Sequence, residues 1–196
     1  MKRREERVFA CLARQTYGHP CDWDMQVIAL ADVRRLIADL EWRKVNAEEA
    51  CRQIFENTRA FHYHYLAVQT LRELGRAQKL SRRGAQVLLE STAYTKAYYA
   101  GTENGHTLEE NVAAVLTTKA NVSVVARYVQ TCLLEHREFR DWRWQAFRAI
   151  SKIVECCGSQ AVSIGLKRAL RIEVENEENQ LRKEQFKEVL ENKLHA

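Results

Sequence analysis

The sequence predicts an all-α protein, and three observations carry that prediction. A single proline, Pro20, stands in 196 residues, and helices exclude proline because it lacks the amide donor and clashes with the preceding turn. Only seven glycines join it, so the chain has few places to turn and its segments must be long. Apolar residues recur at three- and four-residue spacing and do not alternate, which is the helical period. Together these predict roughly eight helices and more than about 65% helix, well above the ordinary ~30–35%. The expected architecture is an irregular antiparallel helical bundle or a short helical stack.

The elements follow in order. A first helix is expected over 3–17, stopped by Gly18-His19-Pro20. Asp22 or Asp24 can cap a second. Its apolar residues Val27, Ile28, Leu30, Ala31, Val33, Leu36, Ile37, Leu40 and Trp42 keep a helical pattern to an end near 43–45. Asn46-Ala47-Glu48-Glu49 has the form of a capping box, in which the asparagine accepts first-turn amides and Glu49 reaches back to the cap amide. It opens a helix over 47–74, with Gly75 available for a left-handed stop. Residues 76–81 read as a basic connection, and Ser81 caps a helix to about 100, ended by Gly101 and Asn104-Gly105.

Thr107-Leu108-Glu109-Glu110 is a second capping box, opening a helix to about 119. Asn121 or Ser123 begins another, to about 136. Val122, Val124, Val125 and Val129 are β-branched there, but their polar flanks and the surrounding period make helix the better reading. A further helix covers 139–157 and ends at Gly158-Ser159. Residues 160–194 contain no strong breaker beyond Gly165 and read as one helix or two. No fixed-period repeat is visible. The domain expectation is a helical body, 1–172, with a seam near 101–106, and a charged C-terminal helical extension, 173–196.

Composition bounds the function. An apolar fraction of 46% is that of a globular chain, and no run approaches the ~20 apolar residues of a membrane span. The basic start lacks the apolar region of a secretory signal, so a cytoplasmic or otherwise intracellular location is expected. The six cysteines, at 11, 21, 51, 132, 156 and 157, show no Cys-x-x-Cys spacing and read as reduced packing residues. Residues 173–196 hold seven acidic and four basic side chains, which leaves +8 of the net +5 on residues 1–172. Such a body can bind an acidic partner, although a mixed solvated surface accounts for it equally.

The densest constellation runs from Arg137 to Arg148. Phe139, Trp142, Ala146, Ala149, Ile150 and Ile153 follow helical spacing and should be core. Arg140, Trp144, Arg148 and Lys152 fall at successive i,i+4 positions with Arg137 beside them. An indole among guanidinium groups suits a protein interface or stacking on a nucleic-acid base. Coverage of Trp144 by arginine stems, with no ligand, is the plainer alternative. In the tail, Phe186, Val189, Leu190 and Leu194 form one stripe that folds back on the body or docks on a partner. The four glutamates of 173–178 are expected to stay solvated.

Common catalytic patterns are missing. The chain has no Gly-x-Ser-x-Gly elbow, no phosphate-binding glycine loop and no Glu-x-x-His pair of the di-iron bundle type. His62 and His64 lie about 200° apart on a helix and cannot chelate one ion. No catalytic residue, metal or cofactor is therefore expected. Arg59 and His64 do show an Arg-x4-His spacing. It resembles the signature of the HEPN family, which are all-helical, often dimeric ribonucleases. The resemblance implies that these two residues would converge on an RNA phosphate. Ala60 stands where that family has a polar residue, and Arg14 and His19 share the spacing.

The reading is a non-catalytic helical binding or adaptor protein acting through macromolecular association. A protein partner or a second copy is expected, and no membrane. The alternatives are RNA or DNA binding by the Arg/Trp face, and an HEPN-like ribonuclease.

Overall fold

The computed structural model describes residues 4–18, 28–58, 60–99, 108–135 and 140–193, with backbone alone at 61, 93–99, 119, 133–135, 140–145 and 192–193. The described residues form ten α-helices and no strand. The chain divides into two compact units, Met1–His106 and Thr107–Ala196.

The first unit holds α1 (Arg4–Tyr17), α2 (Leu30–Trp42), α3 (Ala47–Asn57), α4 (Phe61–Arg76) and α5 (Arg82–Tyr99). Helix α4 is central: it packs on α2, α3 and α5, while α1 packs on α2 and α3. Residues 66–75 of α4 are buried without a break. Such a helix has no solvated face, so its polar side chains must find partners inside.

The starts at Asn46 and Ser81 are as expected. Asn46 Oδ1 accepts the Glu49 amide at 3.0 Å, and Ser81 Oγ accepts the Gly84 amide at 3.0 Å. The Glu49 carboxylate instead grips Arg52 and Gln53. Glu48 helps cap α5: its Oε1 accepts the Ser81 amide at 2.6 Å, and Ser81 Oγ donates to its other oxygen. Gly84 makes room for that contact, since a Cβ there would lie 2.4 Å from the Glu48 carboxylate.

The helix expected over 47–74 is two helices. Thr58 is extended, at φ −111° and ψ 144°, and its hydroxyl accepts the Ala60 amide at 3.2 Å. Asn57 Nδ2 donates back to the Gln53 carbonyl at 2.8 Å. These short polar side chains compete with the helical ladder without any glycine or proline to mark the break. Gly75 is not the stop either, since it remains inside α4. The left-handed residues are Lys44 (φ 55°) after α2 and Gln78 (φ 56°) after α4. In each case two amides turn back into the last turn, Lys44 and Val45 to Glu41 and Leu40, and Gln78 and Lys79 to Gly75 and Leu74. This is the Schellman closure, made here without glycine. Trp42, grouped by sequence with the apolar pattern of α2, is 79% exposed. It stands two residues past the buried Leu40, on the face opposite the stripe of Val33, Leu36, Ile37 and Leu40.

The second unit holds α6 (Leu108–Leu116), α7 (Val122–Glu135), α8 (Arg140–Cys157), α9 (Ile164–Glu175) and α10 (Gln180–Glu188), the last running into a π turn, Val189–Lys193. Val122 to Val129 are helical, and Val125 and Val129 are buried. Helix α8 packs on α6 and α7, and α7 on α9. Its Ala146, Ala149, Ile150 and Ile153 are core, as their spacing required. The segment 160–194 breaks at 176–179, where Asn179 Oδ1 accepts the Arg182 amide at 3.1 Å.

Two glutamates expected in solvent are buried. Glu173 continues the inner stripe Leu166, Ala169 and Leu170 of α9. Glu177 Oε1 accepts the Asn179 amide at 2.9 Å, beside the positive end of α10. The tail stripe folds into its own unit. Phe186 is 1% exposed and stacks on Phe147, with ring centroids 3.6 Å apart and planes within 8°. Leu190 is buried as well, and Leu194 lies outside the described residues.

Phe186→Ala should remove that stack and leave a cavity, lowering the stability of the second unit by about 3–5 kcal/mol. Denaturant unfolding followed by a probe in residues 107–196 checks this. An unchanged midpoint would mean that the stack does not hold the tail.

Candidate functional site

The constellation favoured by sequence is described only in part. Arg137 lies outside the described residues, and Arg140 and Trp144 are described only as α8 backbone. Arg148 pairs with Glu109 of α6 at 2.8 Å, and Lys152 with Glu155 one turn on at 3.2 Å. Phe186 and Leu190 are spent on packing.

A built recess lies instead between α2 and α4. Arg34 Nε donates to Glu73 Oε2 at 2.9 Å, and Arg76 Nη1 donates to Glu73 Oε1 at 2.5 Å. One carboxylate thus holds two arginines, one per oxygen. Glu73 is 3% exposed at its side chain, whereas Arg34 is 68% and Arg76 49% exposed. Further along, Lys79 Nζ meets Glu41 Oε1 at 3.0 Å. Glu41 is in the last turn of α2 and Lys79 lies three residues past the end of α4, so this pair joins the C-terminal ends of the two helices. Their C-terminal ends meet at one end of the unit, where Arg43, Lys44, Arg76 and Lys79 complement the negative ends of two helices.

Arg34, Glu41, Glu73, Arg76 and Lys79 line a cavity of about 370 Å³, floored by Ile37, Ala38, Leu74 and Ala77. Burial alone would raise the Glu73 carboxyl, but donation from Arg76 and Arg34 outweighs it and holds the group below its ordinary value. Arg34 commits only its Nε and Arg76 only one Nη among the described residues, so each keeps further donors. Trp42 follows Glu41 directly, one helical turn beyond Ala38, and the Arg43 guanidinium carbon lies 5.8 Å from its ring centroid.

A smaller groove of about 190 Å³, lined by Arg52, Phe55, Glu56 and Arg83 among others, is self-neutralised. Arg52 bonds both Glu49 and Glu56, and its hydrogen bond holds the Glu49 carboxyl down to about 2 against the opposing effect of burial.

His64, the other sequence candidate, is buried. Its Nε2 donates to the Thr58 carbonyl at 2.8 Å, and its ring lies 5.5 Å from Phe55. The ring therefore staples the α3–α4 break. Arg59 lies outside the described residues. Among the described residues no group of three His, Cys, Asp or Glu could hold a metal, and no helix is long and apolar enough to cross a membrane.

Sequence reading missed Arg34, Glu41, Trp42, Glu73, Arg76 and Lys79. Trp42 was readable from the helical wheel, since it opposes the α2 core stripe. The ion pairs were not, because they join segments 38 and 39 residues apart. Comparison with known proteins gives no match: no family model, no curated protein and no solved structure is significantly similar to this chain.

Burial pushes His64 below its ordinary value of 6.5, against the opposing effect of its hydrogen bonds to backbone carbonyls. The folded protein then binds fewer protons than the unfolded chain, so this stability is complete above 6.5 and is lost as the pH falls below it. His64→Gln should flatten the stability profile of the first unit in that window. Parallel acid profiles for the variant and the parent protein would show that another group is responsible.

Proposed function

We propose that this chain is a non-catalytic helical binding protein that acts by associating with another protein, and that the α2–α4 face of its first unit receives the partner. The observation that carries this reading is Trp42, 79% exposed. Isolated apolar residues on a surface are ordinary. This one differs in size and setting. An indole offers a large apolar area at little entropic cost, and Trp and Arg are the residue types most enriched at interface anchors. The Arg43 guanidinium lies over the Trp42 ring, and the neighbouring Glu41 lines a cleft with an apolar floor.

Nucleic-acid binding is the second reading, favoured by the same indole and cations. The two differ in salt response. Phosphate-backbone binding falls steeply as counterions are released, whereas an interface anchored by a buried indole is less sensitive.

An aromatic photo-crosslinking residue at position 42, which keeps a large apolar ring there, with position 187 as the exposed control, tests the proposal in intact cells. The expected result is a discrete protein adduct at 42, insensitive to nuclease and absent at 187. Trp42→Ala should weaken capture of that partner by about 2 kcal/mol or more, while stability shifts by no more than about 0.5 kcal/mol. Equal adducts at both positions, or loss of the adduct on nuclease treatment, would overturn it.

A further inference from the structure

We infer that the α2–α4 cleft binds a phosphate monoester carried on the docking segment of the partner. The inference rests on the association reading and names the chemistry of that same face. It starts from Glu73. Its buried carboxylate is not available to a ligand; it is the fixture on which two guanidinium groups are set side by side. Arg34 and Arg76 are exposed beyond their single bonds to it, and their remaining N–H groups are the forked donors that match phosphoryl oxygens. Glu73 is thus a positioning residue, and Arg34, Arg76 and Lys79 are the groups that meet the ligand.

Glu41 holds the place of that ligand. Its carboxylate sits on Lys79, and both partners are more than half exposed, so the pair is weak and readily exchanged. With Glu41 in place the three cations and two carboxylates of the cleft sum to +1. When an incoming anion displaces Glu41 to water, the cleft carries +2. That matches a phosphate monoester, which brings close to two negative charges and three acceptor oxygens at pH 7. A carboxylate has only two oxygens for three donors. A phosphodiester brings one charge, and a strand of them needs a continuous cationic track, where this is one recess. The apolar floor of Ile37, Ala38, Leu74 and Ala77 can take an apolar side chain next to the phosphorylated one.

The test uses the full chain, titrated at fixed ionic strength with phenyl phosphate, benzoate and a short single-stranded RNA, and followed by NMR chemical shifts. Phenyl phosphate should bind best. Arg34→Ala and Arg76→Ala should each weaken it about tenfold or more, the scale of a lost charge-assisted bond. The two carboxylate variants should act in opposite directions. Glu41→Gln should tighten binding by removing the placeholder. Glu73→Gln should weaken it, although it too removes a negative charge, because the forks lose their fixture. Arg34→Lys keeps the charge and removes the fork, so it should also weaken binding; it serves if Glu73→Gln does not fold.

Tightening by both glutamate variants would reduce the cleft to bulk electrostatics and overturn the inference. So would unchanged affinity in the arginine variants, or RNA binding that exceeds phenyl phosphate with the same arginine dependence. If phenyl phosphate fails while the position-42 adduct persists, only the phosphate chemistry is wrong. If the adduct fails while the titration succeeds, only the docking reading is wrong.

Discussion

The first unit depends on one constraint: α4 is buried along 66–75, and its sequence is not apolar throughout. Each polar side chain on it must be satisfied, or folding loses more than the helix gains. Thr70 does so locally, donating to the Leu66 carbonyl at 2.8 Å. Glu73 cannot, because an ionised carboxylate needs charged donors. It takes one from its own helix, Arg76, and one from α2, Arg34. The second of these ties α2 to α4. With Arg34 at Glu73, Glu41 meets Lys79 just past the end of α4, and the two C-termini share one end. The cleft is thus a consequence of burying a charged helix.

The parts of this fold that were legible in the sequence are the ones decided locally. Asn46 and Ser81 start helices because a short side-chain acceptor meets a first-turn amide. Gly18 and Gly158 end them because both adopt positive φ, 76° and 81°. The periodic stripe of α8 is core because helical spacing alone puts Ala146, Ala149, Ile150 and Ile153 on one side. Where sequence reading failed, tertiary context had overridden propensity. Asn57-Thr58 breaks a strong helical pattern only because the flanking helices pack back on one another and His64 closes the gap. Lys44 and Gln78 accept a left-handed backbone that usually falls to glycine, so nothing in their identity announced a stop. Glu173 looked solvated within a run of glutamates, yet its spacing from Leu166 and Ala169 places it inward.

The candidate site was hidden for a different reason. A linear search rewards density, and Arg137 to Arg148 is the densest mixture of arginine and tryptophan in the chain. Density says nothing about convergence. Arg148 and Lys152 each meet a single carboxylate, on different elements. Arg34 and Arg76 stand 42 positions apart, unremarkable in a sequence rich in arginine, and meet only through Glu73.

That shared carboxylate separates stability from function. Replacing a buried ion pair by well-packed apolar residues is often neutral or stabilising, and Arg34 and Arg76 are exposed enough to be hydrated alone. The net stability supplied by Glu73 is therefore small, since the cost of burying its charge offsets most of what the two bonds return. What an apolar residue could not reproduce at that position is geometry. Without Glu73 the two long arginine side chains would each explore many rotamers over the cleft, and a ligand would have to order them at its own expense. With Glu73 in place that ordering is complete before anything binds. The carboxylate at the floor of the cleft lowers its net charge and still favours an anion, because two forks held in register are worth more to an oxyanion than one unit of uncoordinated charge.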